Sequence, residues 1–80
     1  MTSEFAIAVH ALVYLNHKQE TLASEELAKN VCTNPARIRK VMAKLKKKNL
    51  IATKEGQNGG YHTSMEAGDV DLAMIYDALE

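Results

Sequence analysis

The run from Asn34 to Asn49 carries the start and stop signals of one helix and fixes which side of it must be buried. Asn34 is a good N-cap, whose side-chain oxygen can take an orphan backbone N–H, and Pro35 follows at the first helical position, where its missing N–H costs nothing. At the far end, Asn49 can adopt the left-handed conformation and Leu50 can fold back over the last turn. Between them Ile38, Val41, Met42 and Leu45 fall at i, i+3, i+4 and i+7, a narrow apolar stripe that predicts a helix over Pro35–Lys48. At about 100° per residue, Lys40 and Lys47 point away from that stripe, with Arg37, Arg39 and Lys44 on its flanks. A helix that buries one side and presents cations elsewhere suits a polyanion.

Charge is distributed in keeping with this. Ten Lys and Arg balance ten Asp and Glu, so the formal net charge is zero. Yet nine of the basic residues lie between Leu27 and Lys54, a window with no acid at all. A local positive field on a neutral body is an electrostatic footprint for nucleic acid. The same pattern also fits a solvated lysine face that serves only solubility.

Eighty residues make one domain, 1–80, near the size where a single core is marginally stable. A composition of 46% hydrophobic and 25% charged residues is that of globular protein rather than a disordered chain. No apolar run approaches the roughly 20 residues that span a bilayer, no signal peptide is expected ahead of the first helix, and a single cysteine excludes an internal disulfide framework. The expected setting is the reducing cytoplasm, away from membranes.

From the start of the chain, Thr2 or Ser3 is expected to cap a first helix running to about Asn16. Phe5, Ile7, Val9, Leu12, Val13 and Leu15, interleaved with alanines, make it apolar on nearly every side, so it is either central or also buried against a second subunit. His17-Lys18-Gln19-Glu20 reads as a loop and Leu22 as a brief edge strand. Ser24 is expected to cap a short second helix, with Glu25 and Glu26 facing its positive end and Leu27, Ala28 and Val31 facing inward. Cys32-Thr33 makes the turn into the basic helix. Leu50–Lys54 reads as a strand, Glu55–Gly60 as a turn and Tyr61-His62-Thr63 as the returning strand. After Gly68-Asp69, Val70 is expected to pair briefly, and Asp71 to cap a last helix with Leu72, Ile75, Tyr76 and Leu79 on one face. The expected fold is mainly α with a small β-hairpin, a winged helix-turn-helix with its recognition helix second. The hairpin either reaches the DNA backbone or an adjacent minor groove, or only covers the core.

Four stretches resemble the Rrf-two family of bacterial winged-helix transcription regulators. They are Ser3-Glu4-Phe5-Ala6-Ile7-Ala8-Val9-His10-Ala11-Leu12, Ser24-Glu25-Glu26-Leu27-Ala28, the Asn34-Pro35…Arg39-Lys40…Leu45 helix and the Gly56…Gly59-Gly60-Tyr61 wing. The family includes an iron–sulfur cluster regulator, a nitrite-sensitive repressor and a cysteine-metabolism repressor. The resemblance covers essentially the whole chain, and its most specific piece is Gly59-Gly60-Tyr61. It implies a sequence-specific regulator of double-stranded DNA, expected to repress, and a homodimer in the full-length protein.

Carried over by residue, the resemblance puts Ala36, Arg37 and Arg39 near base edges in the major groove. Each arginine could fork onto guanine, worth roughly 1–3 kcal/mol of discrimination per good contact. Lys40, Lys44 and Lys47 become phosphate contacts, which position without specifying. Family members often carry an arginine ahead of the first wing glycine; here Glu55 stands there, and a narrow minor groove repels a carboxylate. Lys54 is the expected backbone contact instead. Cluster-binding members resemble one another in carrying three cysteines beyond the winged helix, and the family a long dimerisation helix; neither is reached before Glu80, as expected either of a truncated chain or of a shortened member. With Cys32 alone no iron–sulfur site can be built, and no other cofactor is expected. His10, His17 and His62 lack metal-ligand spacing, and His10 reads as a packed core histidine.

Cys32 is the redox candidate. It stands just before a helix N-terminus among basic residues, a setting that favours a reactive thiol. A buried turn residue is the other reading of the same position, and the favoured one. An enzyme finds no support: Gly56–Gly60 lacks the Lys-Ser/Thr of a phosphate loop, and no nucleophile–base pair stands out. The serious alternative is a winged helix that binds protein rather than DNA.

Overall fold

The computed structural model describes residues 3–64 and 70–80. Its first helix, α1 (Glu4–Lys18), is capped by Ser3, whose Oγ accepts a hydrogen bond from the Ala6 N–H at 3.1 Å; Thr2, the other candidate cap, lies outside the described residues. The helix runs two residues past its expected end at Asn16, so His17 and Lys18 are helical rather than loop. Both are favoured in a last turn, where the carbonyl end is negative. Gln19, with φ 53°, closes it by donating its N–H to the Leu15 carbonyl.

α1 is central. Ile7, Ala8, Ala11 and Leu15 are fully buried, and the helix packs against three other helices and one strand. Those four residues cluster on one side at 100° per residue, which turns His10 and Val13 outward. His10 is therefore exposed, correcting the core reading, and Val13 keeps 61% of its surface.

Leu22 forms an isolated bridge with Tyr61, exchanging N–H···O bonds of 2.9 and 2.8 Å. Helix α2 (Ser24–Val31) has Ala23, not Ser24, at its N-cap, and no side chain caps it. Ser24 is one residue too far along, because the extended Leu22 bridge sets where the chain turns in. Leu27, Ala28 and Val31 face the core as expected. Cys32, with φ 60°, ends α2, and both its N–H and that of Thr33 reach the Ala28 carbonyl.

The basic helix α3 (Pro35–Lys47) begins as its sequence requires. Asn34 Oδ1 accepts the Arg37 N–H at 2.9 Å, and Pro35 opens the first turn. It stops one residue short of the expected Lys48. There Asn49, with φ 63°, donates to the Lys46 carbonyl while Leu50 donates to Leu45, a Schellman closure that tucks Leu50 into the core. Ile38, Val41, Met42 and Leu45 are wholly buried.

Leu50 thus serves as cap, and strand β1 (Ile51–Lys54) starts one residue later than expected. It pairs antiparallel with β2 (Gly60–Thr63), in the register Ile51↔Thr63 to Lys54↔Gly60. Only the root of the hairpin is covered: Ile51 is buried, whereas residues 53–58 are exposed. The Gly59-Gly60 pair is structural. A Cβ on Gly60 would run into the Leu22 carbonyl, and one on Gly59 into the Lys54 carbonyl.

Asp71 caps α4 (Leu72–Leu79), its Oδ1 accepting the Met74 N–H at 2.9 Å. The buried side is Ile75 and Ala78, so the expected Leu72/Ile75/Tyr76/Leu79 face is rotated, and Leu72 and Tyr76 are each 60% exposed. Ala78 is what shifts it: a small residue allows close approach to α1 and α3, and the bulkier Leu72 and Tyr76 swing aside. Val70 lies in no strand, and the expected turn at Gly68-Asp69 is outside the described residues.

Because the Leu22–Tyr61 bridge leaves no room for a side chain, Gly60→Ala is expected to cost about 2 kcal/mol or more. Gln57→Ala, on the exposed turn, should stay within about 0.5 kcal/mol. Urea denaturation of both variants checks the contrast.

Candidate nucleic-acid interface

Burial of the Ile38/Val41/Met42/Leu45 stripe sets α3 so that Ala36, Lys40, Ala43 and Lys47 form the outermost strip, and all four are exposed. Their spacing of four, three and four residues keeps them on one line along the helix. Two alanines between two lysines make that line low in profile and cationic at intervals, a shape that lets a helix backbone sit close in a groove. Ala43 was not among the residues expected to matter; its place opposite the apolar stripe was the available signal.

The other expected cations divide between the two flanks. Arg39 is exposed, and its Nη1 donates to Ser24 Oγ at 3.3 Å, linking α3 to the first turn of α2. Its charge also reaches Tyr61 on β2, where burial raises the phenol pKa above its ordinary value and Arg39 works against that rise. Arg39 thus stands where α2, α3 and the hairpin meet. Arg37 is half-buried on the opposite flank.

Lys44 departs most from the expected picture of an open lysine. It donates to Glu4 Oε1 at 2.7 Å, and about a third of its side-chain surface remains accessible. Lys40 Nζ lies 3.7 Å from Glu4 Oε2 and stays 70% exposed. Separation of charge along the sequence is therefore not separation in space, because α1 carries an acid to the edge of the basic helix. No local pattern announces a contact forty residues long.

Lys54 is exposed at the outer end of β1, followed by the exposed Glu55, so the hairpin tip offers one charge of each sign. Lys46, Lys47 and Lys48 are all exposed at the end of α3, the first and last beyond the expected set. Cys32 is exposed at the end of α2, which corrects the buried reading of it. Val9, Leu12, Val13, Leu50, Leu72 and Ile75 line an apolar groove between α1 and α4, whose walls hold no Lys or Arg. Among the described residues no three His, Cys, Asp or Glu side chains converge as metal ligands, and no helix is long and apolar enough to cross a membrane.

The hydrogen bond from Lys44 lowers the Glu4 carboxyl pKa below its ordinary value; desolvation opposes this, and the charges of Lys44, Lys40 and Arg37 add to the lowering. A carboxyl depressed in the folded state stabilises the fold above its unfolded pKa, and that contribution is lost as pH falls through the folded value. The difference in melting temperature between the wild type and Glu4→Gln should therefore be present at neutral pH and close as pH falls below the ordinary glutamate range. A gap independent of pH would contradict the ion pair.

A family model described as "Rrf2: Iron-dependent Transcriptional regulator" matches residues 1–80. The chain is 29% identical over 80 residues to the "Putative HTH-type transcriptional regulator YwnA" of Bacillus subtilis (strain 168), spanning 59% of that protein. It superposes on T. potens IscR with a TM-score of 0.88 at 21% identity, covering all of this chain and 60% of that one. For CymR (YrzC), the global cysteine regulator of B. subtilis, the TM-score is 0.91 at 16% identity, with 100% of this chain and 64% of that one covered. At such identities these two structures speak to the fold, which is the winged helix expected from the sequence. The chain spans about three-fifths of the length of these relatives.

Proposed function

We infer that this chain, which belongs to the Rrf2 family across residues 1–80, is the DNA-binding domain of a sequence-specific transcriptional regulator. Its family consists of transcriptional regulators, not enzymes. In this reading α3 enters the major groove of double-stranded DNA along the Ala36/Lys40/Ala43/Lys47 strip. What supports it most is that strip's exposure, opposite a fully buried apolar stripe on the same helix.

Roles follow from position. Ala36 and the forked guanidinium of Arg39 are suited to base edges, with Arg37 on the other flank. Lys40 and Lys47, and Lys54 on the hairpin, are suited to phosphates, which fix register without reading sequence. Lys44 joins them only after leaving Glu4. The expected effect on transcription is repression, by occupying promoter DNA. A second copy is the expected partner, since paired half-sites mirror a protein two-fold, and Val13 and Leu72 beside the apolar groove give it a surface to bury.

Among the described residues no three His, Cys, Asp or Glu side chains converge to take the iron named in the family description. The sequence has one cysteine, exposed at the end of α2. No step of the proposed function passes through iron.

Fluorescence anisotropy with duplex DNA over a range of salt tests the reading. The logarithm of affinity should fall linearly with the logarithm of salt, and Lys47→Ala should weaken all sequences alike and reduce the slope by about 1. Arg39→Ala should instead relax base preference, at a cost of about 1–3 kcal/mol on the preferred site. Affinity that is absent, or indifferent to salt, would leave the protein-binding alternative.

The redox part of the reading rests on Cys32. In exchange with a small-molecule disulfide, its thiolate would attack one sulfur, form the mixed disulfide and release the other half as a thiol. The adduct would sit in the turn that joins α2 to α3. Pretreatment with oxidised glutathione should then lower duplex affinity several-fold for the wild type and leave Cys32→Ala unchanged. Equal response of the two proteins would remove Cys32 from the account.

A further inference from the structure

Glu4 stands in the first turn of α1, where an acid ordinarily faces the positive helix terminus. Its carboxylate instead spans to α3. One oxygen accepts the Lys44 ammonium at 2.7 Å and the other lies 3.7 Å from the Lys40 ammonium. Arg37, three residues before Lys40, shares that flank, and its charge is felt at the same carboxyl. One acid, forty residues before Lys44 in the sequence, thus faces two lysines of α3, with the charge of Arg37 acting on it from the same flank.

Two carboxylate oxygens against two ammonium groups reproduce what a phosphodiester offers: one negative charge shared by two acceptors. Resting on the DNA-binding reading above, we propose that Glu4 is an internal stand-in for a DNA phosphate. It occupies Lys44, and loosely Lys40, until duplex displaces it, and so sets how much of the protein's affinity is independent of sequence. A phosphate that reaches this flank either exchanges with the carboxylate or is repelled by it, and both lower affinity for any duplex equally. Arg39 and the Ala36/Ala43 line lie at other angles around α3 and keep their base contacts. The net effect is a higher ratio of specific to non-specific binding, the quantity that matters against a genome of competing sites.

The test is binding to a fluorescein-labelled duplex of random sequence, measured from about 50 to about 200 mM salt. Glu4→Gln should bind it roughly 10-fold more tightly at the low end, with a log–log salt slope steeper by about 1 to 2, one further phosphate contact per released lysine. Glu4→Ala, which also removes the side-chain acceptor, should move affinity and slope the same way, separating charge from local packing. In a Lys44→Gln background the gain from Glu4→Gln should shrink, because only Lys40 remains to be released. Unchanged or weaker binding by Glu4→Gln, with the wild-type slope, would overturn the proposal and identify Glu4 as a prop that holds the lysines ready. Loss of salt-dependent binding by the wild type itself would defeat the DNA-binding reading, and this inference with it.

Discussion

The rotation of α3 about its own axis is set by the burial of Ile38, Val41, Met42 and Leu45, each with no accessible surface. Each such side chain contributes about 1.5–3 kcal/mol when removed from water. Four of them therefore compare with the entire stability of a small domain. A turn of one residue's angle would expose part of the stripe and drive lysine ammonium groups toward an interior that holds no buried polar or charged residue to meet them among the described residues. The cationic side is therefore outward because the apolar side cannot be.

The ends of the helices carry that orientation to the rest of the domain. α1, α2 and α3 each close on a non-glycine residue in the left-handed region, Gln19, Cys32 and Asn49, at φ of 53°, 60° and 63°. Such residues are disfavoured relative to glycine, and each is held by hydrogen bonds back to the preceding turn. The Cys32 turn fixes how α2 delivers the chain to Asn34, and the Asn49 turn fixes how Leu50 seals the core before the hairpin begins. The hairpin is then tied to the loop before α2 by the Leu22–Tyr61 bridge, which needs the bare backbone of Gly60. Arg39, Ser24 and Tyr61 lie where these constraints converge.

Much of this could be read from the chain alone, and the reason differs by element. α3 was legible in caps, stripe and outer lysines, because each rests on residues within one or two turns of each other. The hairpin and the Leu22 edge followed from turn residues and β-branched neighbours. Positions decided by distant partners were not legible. Ser24 looks like a cap, yet the Leu22 bridge moves the helix start by one residue. His10 looks buried in an apolar run, and the way α1 meets its neighbours turns it outward. On α4 the small Ala78, not the larger Leu72 and Tyr76, faces the core. In the candidate site, Ala36 entered through the family resemblance, and exposure of Arg39, Lys40 and Lys47 followed from helical geometry. The pairing of Lys44 with Glu4 did not, since only the packing of α1 against α3 brings them together. The Gly59-Gly60-Tyr61 motif, recognisable in sequence, owes its glycines to backbone contacts within the hairpin and its bridge.

The central claim is that the outer strip of α3 is the surface duplex DNA meets. Backbone amide resonances followed by ¹⁵N-resolved NMR, as an unlabelled duplex is added, address it without any substitution. The account predicts that the largest shifts fall on Ala36, Arg39, Lys40, Ala43 and Lys47, with Lys54 next and the α4 amides little changed. Shifts centred on the α1–α4 groove around Val13 and Leu72, with α3 undisturbed, would contradict it.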